Sequence, residues 1–531
     1  MALIKRALAR AFTSCEAVFE YAFGQRNNPF VWLGALGWYF YWIVAATGVY
    51  LYVFFDTGVT DAYASVEYIT NDQWYAAGLM RSLHRYASDA LVVVVVVHIF
   101  REFAHDRLRG RRFFAWLTGV PLLAFIYICG ISGYWLVWDQ LAQYIAIATT
   151  EWLDTLPMFG EPIANNFLNS TTLGGRFFTL MVFIHIFGPL FMLLLMWVHI
   201  QRHSGARVNP PRELAIGTLV MLVVLSFVYP AVSQAPADLD VVPTGVGLDW
   251  FYLAAYPLLD IVPGGQLWLY IIGGLVVLAL LPWVPPAKPA KPAVVDLDNC
   301  NGCTRCFDDC PFGAISMVPR SDGRAYDLEP AVNTSNCTSC GICAGSCPTS
   351  TPFRRAVPIQ PGIELPDRTI GALREELIAE QDAETAGPRV LVFGCDTSNV
   401  DELQGDGTRV IKLPCVGMLP PSFIDFTLSR DHADGVFITG CRHGECQNRL
   451  GVRWTEERLA GTRDPALRKR VPRDRLTIAW AAPTEQESLD QQVADFAVQL
   501  AALPKATPPK LPEIEPAVLP VQNPAGTAGD D

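Results

Sequence analysis

Four of the eight histidines and twelve of the fourteen cysteines stand in spacings that metals use. His84, His98, His185 and His199 form two pairs, each fourteen residues apart and each inside an apolar stretch long enough to cross a membrane. Fourteen residues rise roughly 21 Å along a helix and return to nearly the same face. One helix can therefore present two iron ligands at different depths. A histidine in hydrocarbon is costly unless it pairs or coordinates. Plain core histidines would have to explain four such placements in register, and two stacked haems explain them directly.

Eight cysteines make two runs, Cys300, Cys303, Cys306, Cys310-Pro311 and Cys337, Cys340, Cys343, Cys347-Pro348, both of the form C-x2-C-x2-C-x3-C-P. The competing chemistries are zinc, disfavoured by the doubled spacing, and disulfides, disfavoured in a reducing cytoplasm. The doubled run resembles the bacterial two-cluster ferredoxins. That resemblance implies one 4Fe-4S cluster on Cys300, Cys303, Cys306 and Cys347, and another on Cys337, Cys340, Cys343 and Cys310. Four more cysteines, Cys395, Cys415, Cys441 and Cys446, lie further on, the first three at or just beyond the ends of predicted strands. Strand ends of a parallel sheet converge on one edge. Their spacing leaves zinc and a 2Fe-2S cluster both open. Cys15 and Cys129 read as apolar fillers.

The elements that must position these residues follow from composition. The 531 residues are 51% apolar with a formal net charge of -12, which points to several domains, at least one of them in lipid, and argues against a nucleic-acid partner. Apolar runs near 31–55, 76–100, 114–137, 176–200, 214–234 and 267–285 each approach the ~20 residues of a spanning helix. Six spans put both termini on one side. The Arg-rich segments REFAHDRLRGRR and QRHSGARVNPPR mark it as cytoplasmic, because no Lys or Arg occurs between Arg112 and Arg176 or between Arg212 and Lys288. Residues 1–30, with Lys5, Arg6 and Arg10, read as an interfacial amphipathic helix.

The six-span bundle is expected over 31–285, with a stiff Pro-rich linker over 286–294. Then come the cysteine-dense block 295–350, expected to be an α+β ferredoxin-like domain, and a connecting segment 351–388. In 389–504 the strand-like runs RVLVFG, RVIKLP, DGVFITG and LTIAWAA alternate with helical patterns, predicting a small α/β parallel-sheet domain. The Pro-rich residues 505–531 are expected to be disordered. This organisation places the chain in the inner (cytoplasmic) membrane with all iron-sulfur domains on the cytoplasmic side.

The segments VTDAYASVEYI, RSLHRYAS, VHIFRE and GISGYWLVWDQ resemble the cytochrome b subunit of b/f complexes, and the likeness runs through most of 25–210. In that family haem ligands come from the second and fourth helices, which implies His84 with His185 on an outer haem and His98 with His199 on an inner one. Gly34 and Gly48, and Gly119 and Gly133, share the spacing of fourteen, and a missing side chain lets a flat porphyrin approach the backbone. A single glycine of this kind is more often a helix-packing contact. Arg81 and Arg101, each three residues from a ligand, are candidate propionate partners. Trp32 stands where b/f proteins carry the cysteine of an extra haem, so two haems b are expected.

Residues 210–285 resemble the start of the companion subunit. Where that family has Pro-Glu-Trp-Tyr at its outer quinol site, this chain has LDWFY, making Asp249, Trp250 and Tyr252 candidate quinone-site residues. An interfacial aromatic belt accounts for Trp250 and Tyr252 as well. His203 lies near the family's inner quinone-site histidine, and the tunable pKa of an imidazole makes it a candidate quinone-site residue. The stretches RVIKLPCVGMLPP, ADGVFITGCRHGECQNRLG and RLTIAWAAPTEQE resemble the delta subunit of methyl-viologen-reducing hydrogenase. This implies a 2Fe-2S centre on the last four cysteines and electron exchange with a heterodisulfide-reductase-like enzyme.

The expected function is a membrane electron-transfer subunit linking the quinone pool to a cytoplasmic flavoprotein or iron-sulfur enzyme. No nucleotide-binding glycine loop or flavin fingerprint occurs, so chemistry on a soluble substrate is expected on that partner. The family also implies a homodimer. Two other readings compete: a quinol-oxidising subunit of a bc-type complex with a Rieske or cytochrome c partner, and a non-redox anchor with zinc-bound cysteines.

Overall fold

The computed structural model describes residues 2–504 apart from 106, 110–111, 159–162, 164–167, 169–173, 202–207, 244, 285–289, 356–357, 380–386, 399, 401–402, 404, 406, 444 and 482–484. His203, the start of the Pro-rich linker and the tail 505–531 lie outside the described residues.

The N-terminal half is helical: α1 (Ala2–Phe23), α2 (Leu33–Phe54), α3 (Asp61–Glu67), α4 (Leu79–Ala104), α5 (Phe113–Val137), α6 (Gln140–Asp154), α7 (Gly175–Gln201), α8 (Arg212–Val228) and α9 (Gly264–Leu280). Among the described residues four segments, Pro29–Phe54, Phe113–Val137, Phe178–Gln201 and Gly264–Trp283, are long and apolar enough to cross a membrane. The other two expected spans differ for physical reasons. Helix α4 has 26 residues but carries Arg81, Arg85 and Asp89 in its first half, and α8 has only 17 residues. Helix α2 lies along α4, and α5 along α7. Their shared core holds Leu36, Phe40, Leu91, Val92, Leu122 and Ile126. Outward, α7 exposes Phe183, Phe187, Leu190, Leu194 and Trp197, and α8 exposes Val220, Val224 and Phe227. Apolar faces of that extent need lipid rather than water, so this half is that of a membrane protein. Helix α1 packs on α4 while leaving Val18, Tyr21 and Phe23 exposed.

The C-terminal half begins with β1 (Val294–Val295), whose antiparallel partner is β4 (Ile363–Glu364). Between them the strands β2 (Ile315–Pro319) and β3 (Leu328–Val332) form an antiparallel pair, flanked by the short helices α10 (Arg305–Asp309) and α11 (Ile342–Ser346), which pack on each other. The segment expected to be a mere connector contributes β4 and α12 (Ile370–Ala379), whose Ile370, Leu373 and Leu377 are fully buried. A four-stranded parallel sheet of order β6-β5-β7-β8 follows, from β5 (Val390–Cys395), β6 (Thr408–Leu413), β7 (Gly435–Gly440) and β8 (Leu476–Trp480). Its central strands β5 and β7 are buried along their whole length, which is why they read as continuous apolar runs. Helices α13 (Pro421–Ser429), α14 (Gly451–Ala460) and α15 (Gln486–Ala502) cover it. Cys306, Cys343 and Ala344 share one core with Leu373, Phe393, Ile438 and Val452, so the two cysteine-bearing regions are welded into a single body.

Candidate metal centres

The fold brings the histidines together across helices. His84 on α4 and His185 on α7 face each other with ring centroids 6.2 Å apart. A metal ion about 2 Å from each ring nitrogen fits between two imidazoles at that separation. His84 Nδ1 lies 3.0 Å from the Val44 carbonyl and 3.1 Å from Thr47 Oγ1. His185 Nδ1 lies 3.0 Å from the Cys129 carbonyl and 3.2 Å from Ser132 Oγ. His199 Nδ1 lies 3.0 Å from Thr118 Oγ1, with a further bond to the Ala115 backbone. A carbonyl only accepts, so Nδ1 carries the proton and the Nε2 lone pair is left to ligate. His98 and His199 line one cavity of about 540 Å³ with Gly34 and Gly119. That is a usual size for a cofactor site of about 300–1,000 Å³.

The four glycines stand directly against these imidazoles. A methyl group on Gly133 would come within 2.8 Å of His185 Cε1, and on Gly48 within 3.0 Å of His84 Cε1. On Gly119 it would stand 3.5 Å from His199 Cε1, and on Gly34 3.7 Å from His98 Cε1. The space each glycine opens is therefore occupied first by the edge of a histidine.

The two candidate propionate partners have protein partners. Arg81 bonds Thr70, and Ser233 Oγ at 2.9 Å, with Glu67 at 4.0 Å. Arg101 bonds Glu16 Oε1 at 2.8 Å and also pairs with Glu445. Asp249 is buried, accepts from Tyr134 Oη and from the Phe251 amide at 2.9 Å, and lies 3.5 Å from Arg85. Arg85 also pairs with Asp89 at 3.3 Å and sits over the Tyr134 ring. Tyr252 is buried with its hydroxyl on Ser88, whereas Trp250 is 68% exposed.

The cysteines separate into three groups. One cavity is lined by Cys300, Cys303, Cys306 and Cys347, and a second by Cys310, Cys337, Cys340 and Cys343. Each run thus sends its fourth cysteine to the other run's pocket. Amides point at the thiols: the Gly302 amide lies 3.5 Å from Cys300 Sγ, and the Ala314 amide 3.3 Å from Cys310 Sγ. In the third group Cys395 ends β5, Cys415 follows β6 and Cys441 follows β7. Side chains interact directly around a ring, Cys395 with Cys415 and Cys441, and Cys446 with the same two. The Val416 amide donates to Cys395 Sγ at 3.3 Å, and Thr397 Oγ1 lies 3.4 Å from Cys441 Sγ. Gly451 seats this ring: a methyl group there would come within 2.2 Å of Cys415 Sγ. Among the described residues no three His, Cys, Asp or Glu side chains close on a single metal-ion position.

A set of charges that sequence reasoning missed joins the helical half to this third group. Glu445 bonds both Arg101 and Arg107, the latter at 2.9 Å, and Arg442 reaches Glu16 at 3.4 Å and Glu485. Arg101, Glu16, Glu445 and Arg442 are all buried. Burial opposes ionisation of Glu445, yet the guanidiniums of Arg107 and Arg101 hold its carboxyl well below the usual range.

Residues 21–204 match the family model of cytochrome b/b6/petB, residues 299–351 the 4Fe-4S dicluster domain, and residues 390–504 methyl-viologen-reducing hydrogenase, delta subunit. The chain is a fusion of three redox families. A solved structure titled "Hyperthermophilic respiratory Complex III" is 18% identical to the fusion, with a TM-score of 0.41 over 50% of this chain and 80% of that one. The family matches imply haem b in the helical half of the fusion and iron-sulfur clusters in the cysteine-rich half, which makes it an oxidoreductase subunit. Two kinds of functional residue escaped the sequence reading. The hydroxyls Thr47, Thr118 and Ser132 each immediately precede a spaced glycine, a local signal that was there to find. The Arg85, Asp89 and Tyr134 group and the Glu445 group had no comparable spacing beyond the i,i+4 pair of Arg85 and Asp89.

Proposed function

We propose that the fusion carries electrons between the quinone pool and a cytoplasmic flavoprotein or iron-sulfur enzyme of the heterodisulfide-reductase kind. In this reading His84 with His185 and His98 with His199 hold two haems b, with Gly34, Gly48, Gly119 and Gly133 clearing space beside the ligands. The two crossed cysteine pockets hold 4Fe-4S clusters, and Cys395, Cys415, Cys441 and Cys446 hold a 2Fe-2S cluster. When bound, these groups supply one-electron chemistry, and the protein's part is to fix ligand orientation and exclude water. The reading includes six spans, the soluble domains on the cytoplasmic side, and a dimer of the cytochrome b type.

The observation that carries this reading is the tethering of Nδ1 in His84, His185 and His199, which frees Nε2 on facing helices to ligate iron. A core histidine needs no such set of matched tethers and glycine clearances. The test is an optical and EPR spectrum of anaerobically purified full-length protein, with metal analysis. Bis-histidine haem b together with iron in place of zinc is expected. Absence of a b-type haem band, or zinc in the cysteine sites, would end the electron-transfer reading.

The outer cluster favours a second reading, a quinol-oxidising subunit with a Rieske or cytochrome c partner outside. Asp249, backed by Arg85 and Tyr134 and next to the exposed Trp250, has the chemistry to exchange a proton with a quinol hydroxyl. Asp249→Asn separates the two: unchanged quinone-linked turnover removes the outer site and leaves an inner one, with His203 as its candidate.

A further inference from the structure

Glu445 is bonded to Arg101, one helical turn from His98, and is itself the neighbour of Cys446. Cys446 lines the same cavity as His98 and His199. On the other side of the third group, Cys415 packs in one small cluster with Cys340, Ile342 and Trp454. Backbone closes on backbone there: a methyl group on Gly345 would come within 2.4 Å of the Gly417 carbonyl. Arg458 ties the same junction, bonding the Gly417 carbonyl at 2.7 Å and pairing with Asp309 beside Cys310.

We infer that the C-terminal four-cysteine site, and not the ferredoxin pair that precedes it in sequence, is the immediate redox neighbour of the His98 and His199 site. The line then runs from Cys415 to the pocket of Cys340 and last to the pocket of Cys300. Glu445 is the positioning residue of this arrangement. Its two carboxylate oxygens are shared between Arg101 and Arg107, while Arg442, beside Cys441, is held by Glu16 of α1. Both residues flanking the third group's ligands are thus fastened to the end of the bundle. One electron at a time leaves the histidine site as one enters the four-cysteine site, or the reverse.

This inference rests on the proposed cofactors, and the experiment keeps the two apart. Full-length protein reduced with dithionite is mixed with a soluble quinone, and each cluster is followed by freeze-quench EPR, after haem and iron content have been measured. In Cys340→Ser the four-cysteine site is expected to reoxidise at the wild-type rate. In Glu445→Gln, with haem and iron content unchanged, reoxidation of every cluster is expected to slow at least tenfold, and the exchanged pair Arg101→Glu with Glu445→Arg to recover part of it. If Cys340→Ser stops reoxidation of the four-cysteine site, or Glu445→Gln leaves all rates unchanged, the inferred order is wrong. Missing haem or iron in the wild-type protein would instead refute the proposed function.

Discussion

In the helical half, four candidate ligands stand on the two long helices α4 and α7, and His84 faces His185 across the bundle. In the soluble half, twelve thiols are collected from loops, strand ends and the short helices α10 and α11, and Cys310 and Cys347 each line the other run's pocket. Regular helices convert a spacing of fourteen into a stack, so chain order and spatial order agree there. Loops make no such conversion, and Cys446, from the last cysteine group in the chain, lines the cavity of His98 and His199. The protein therefore joins a rigid, periodic scaffold to a compact irregular one, and buried ion pairs fix their register at the seam.

The comparison breaks most visibly at the ligands. If the chain holds the two proposed haems, His185→Ala should lower the haem-to-protein ratio by pyridine haemochromogen by about half while iron-sulfur content holds, because no histidine is among the proposed cluster ligands. Cys310→Ser and Cys347→Ser sharpen the contrast. Each should abolish the EPR signal of the cluster held mainly by the other run, and loss of the signal of its own run would contradict the crossing.

Glu445→Ala tests the seam. It removes the carboxylate that Arg101 and Arg107 share, but Arg101 keeps Glu16 at 2.8 Å and Arg107 keeps Glu102 at 3.6 Å, so the loss should fall short of the about 3–5 kcal/mol typical of a buried charge left unpaired. Earlier thermal unfolding and faster protease cleavage between the halves should follow. Gly133→Ala should displace His185 and weaken haem binding between His84 and His185, whereas Gly34→Ala, with 3.7 Å of clearance against 2.8 Å, should be nearly silent in the optical spectrum. Among the variants expected to lower haem affinity, the smallest loss belongs to Thr118→Val. Loss of an outer-shell partner costs about 10–100-fold in affinity, and His199 keeps its bond to Ala115, so the lower end is expected by haem titration.

Much of this was legible in the sequence because it depends on local repetition. The histidine spacing, the doubled cysteine runs and the apolar runs that became β5 and β7 each have a period set by backbone geometry. The Thr47, Thr118 and Ser132 tethers were equally local, one residue from glycines already singled out. The charged seam was not legible, because Arg101 and Glu445 are separated by 344 residues and no periodicity links them. Nor was the role of 351–388, whose Ile370, Leu373 and Leu377 lie in the same core as β5. The six apolar runs were read by composition, while α4 combines its length with charges that the bundle satisfies internally, Arg85 with Asp89 and Arg101 with Glu16.

The most direct test of the link between the halves uses His98→Ala, with dithionite-reduced protein mixed with a soluble quinone and the clusters followed by freeze-quench EPR. All clusters should assemble and accept electrons from dithionite, haem at His84 and His185 should remain, and cluster reoxidation should slow at least tenfold against wild type. Reoxidation at the wild-type rate in a protein shown to lack the inner haem would contradict a path through that end of the bundle.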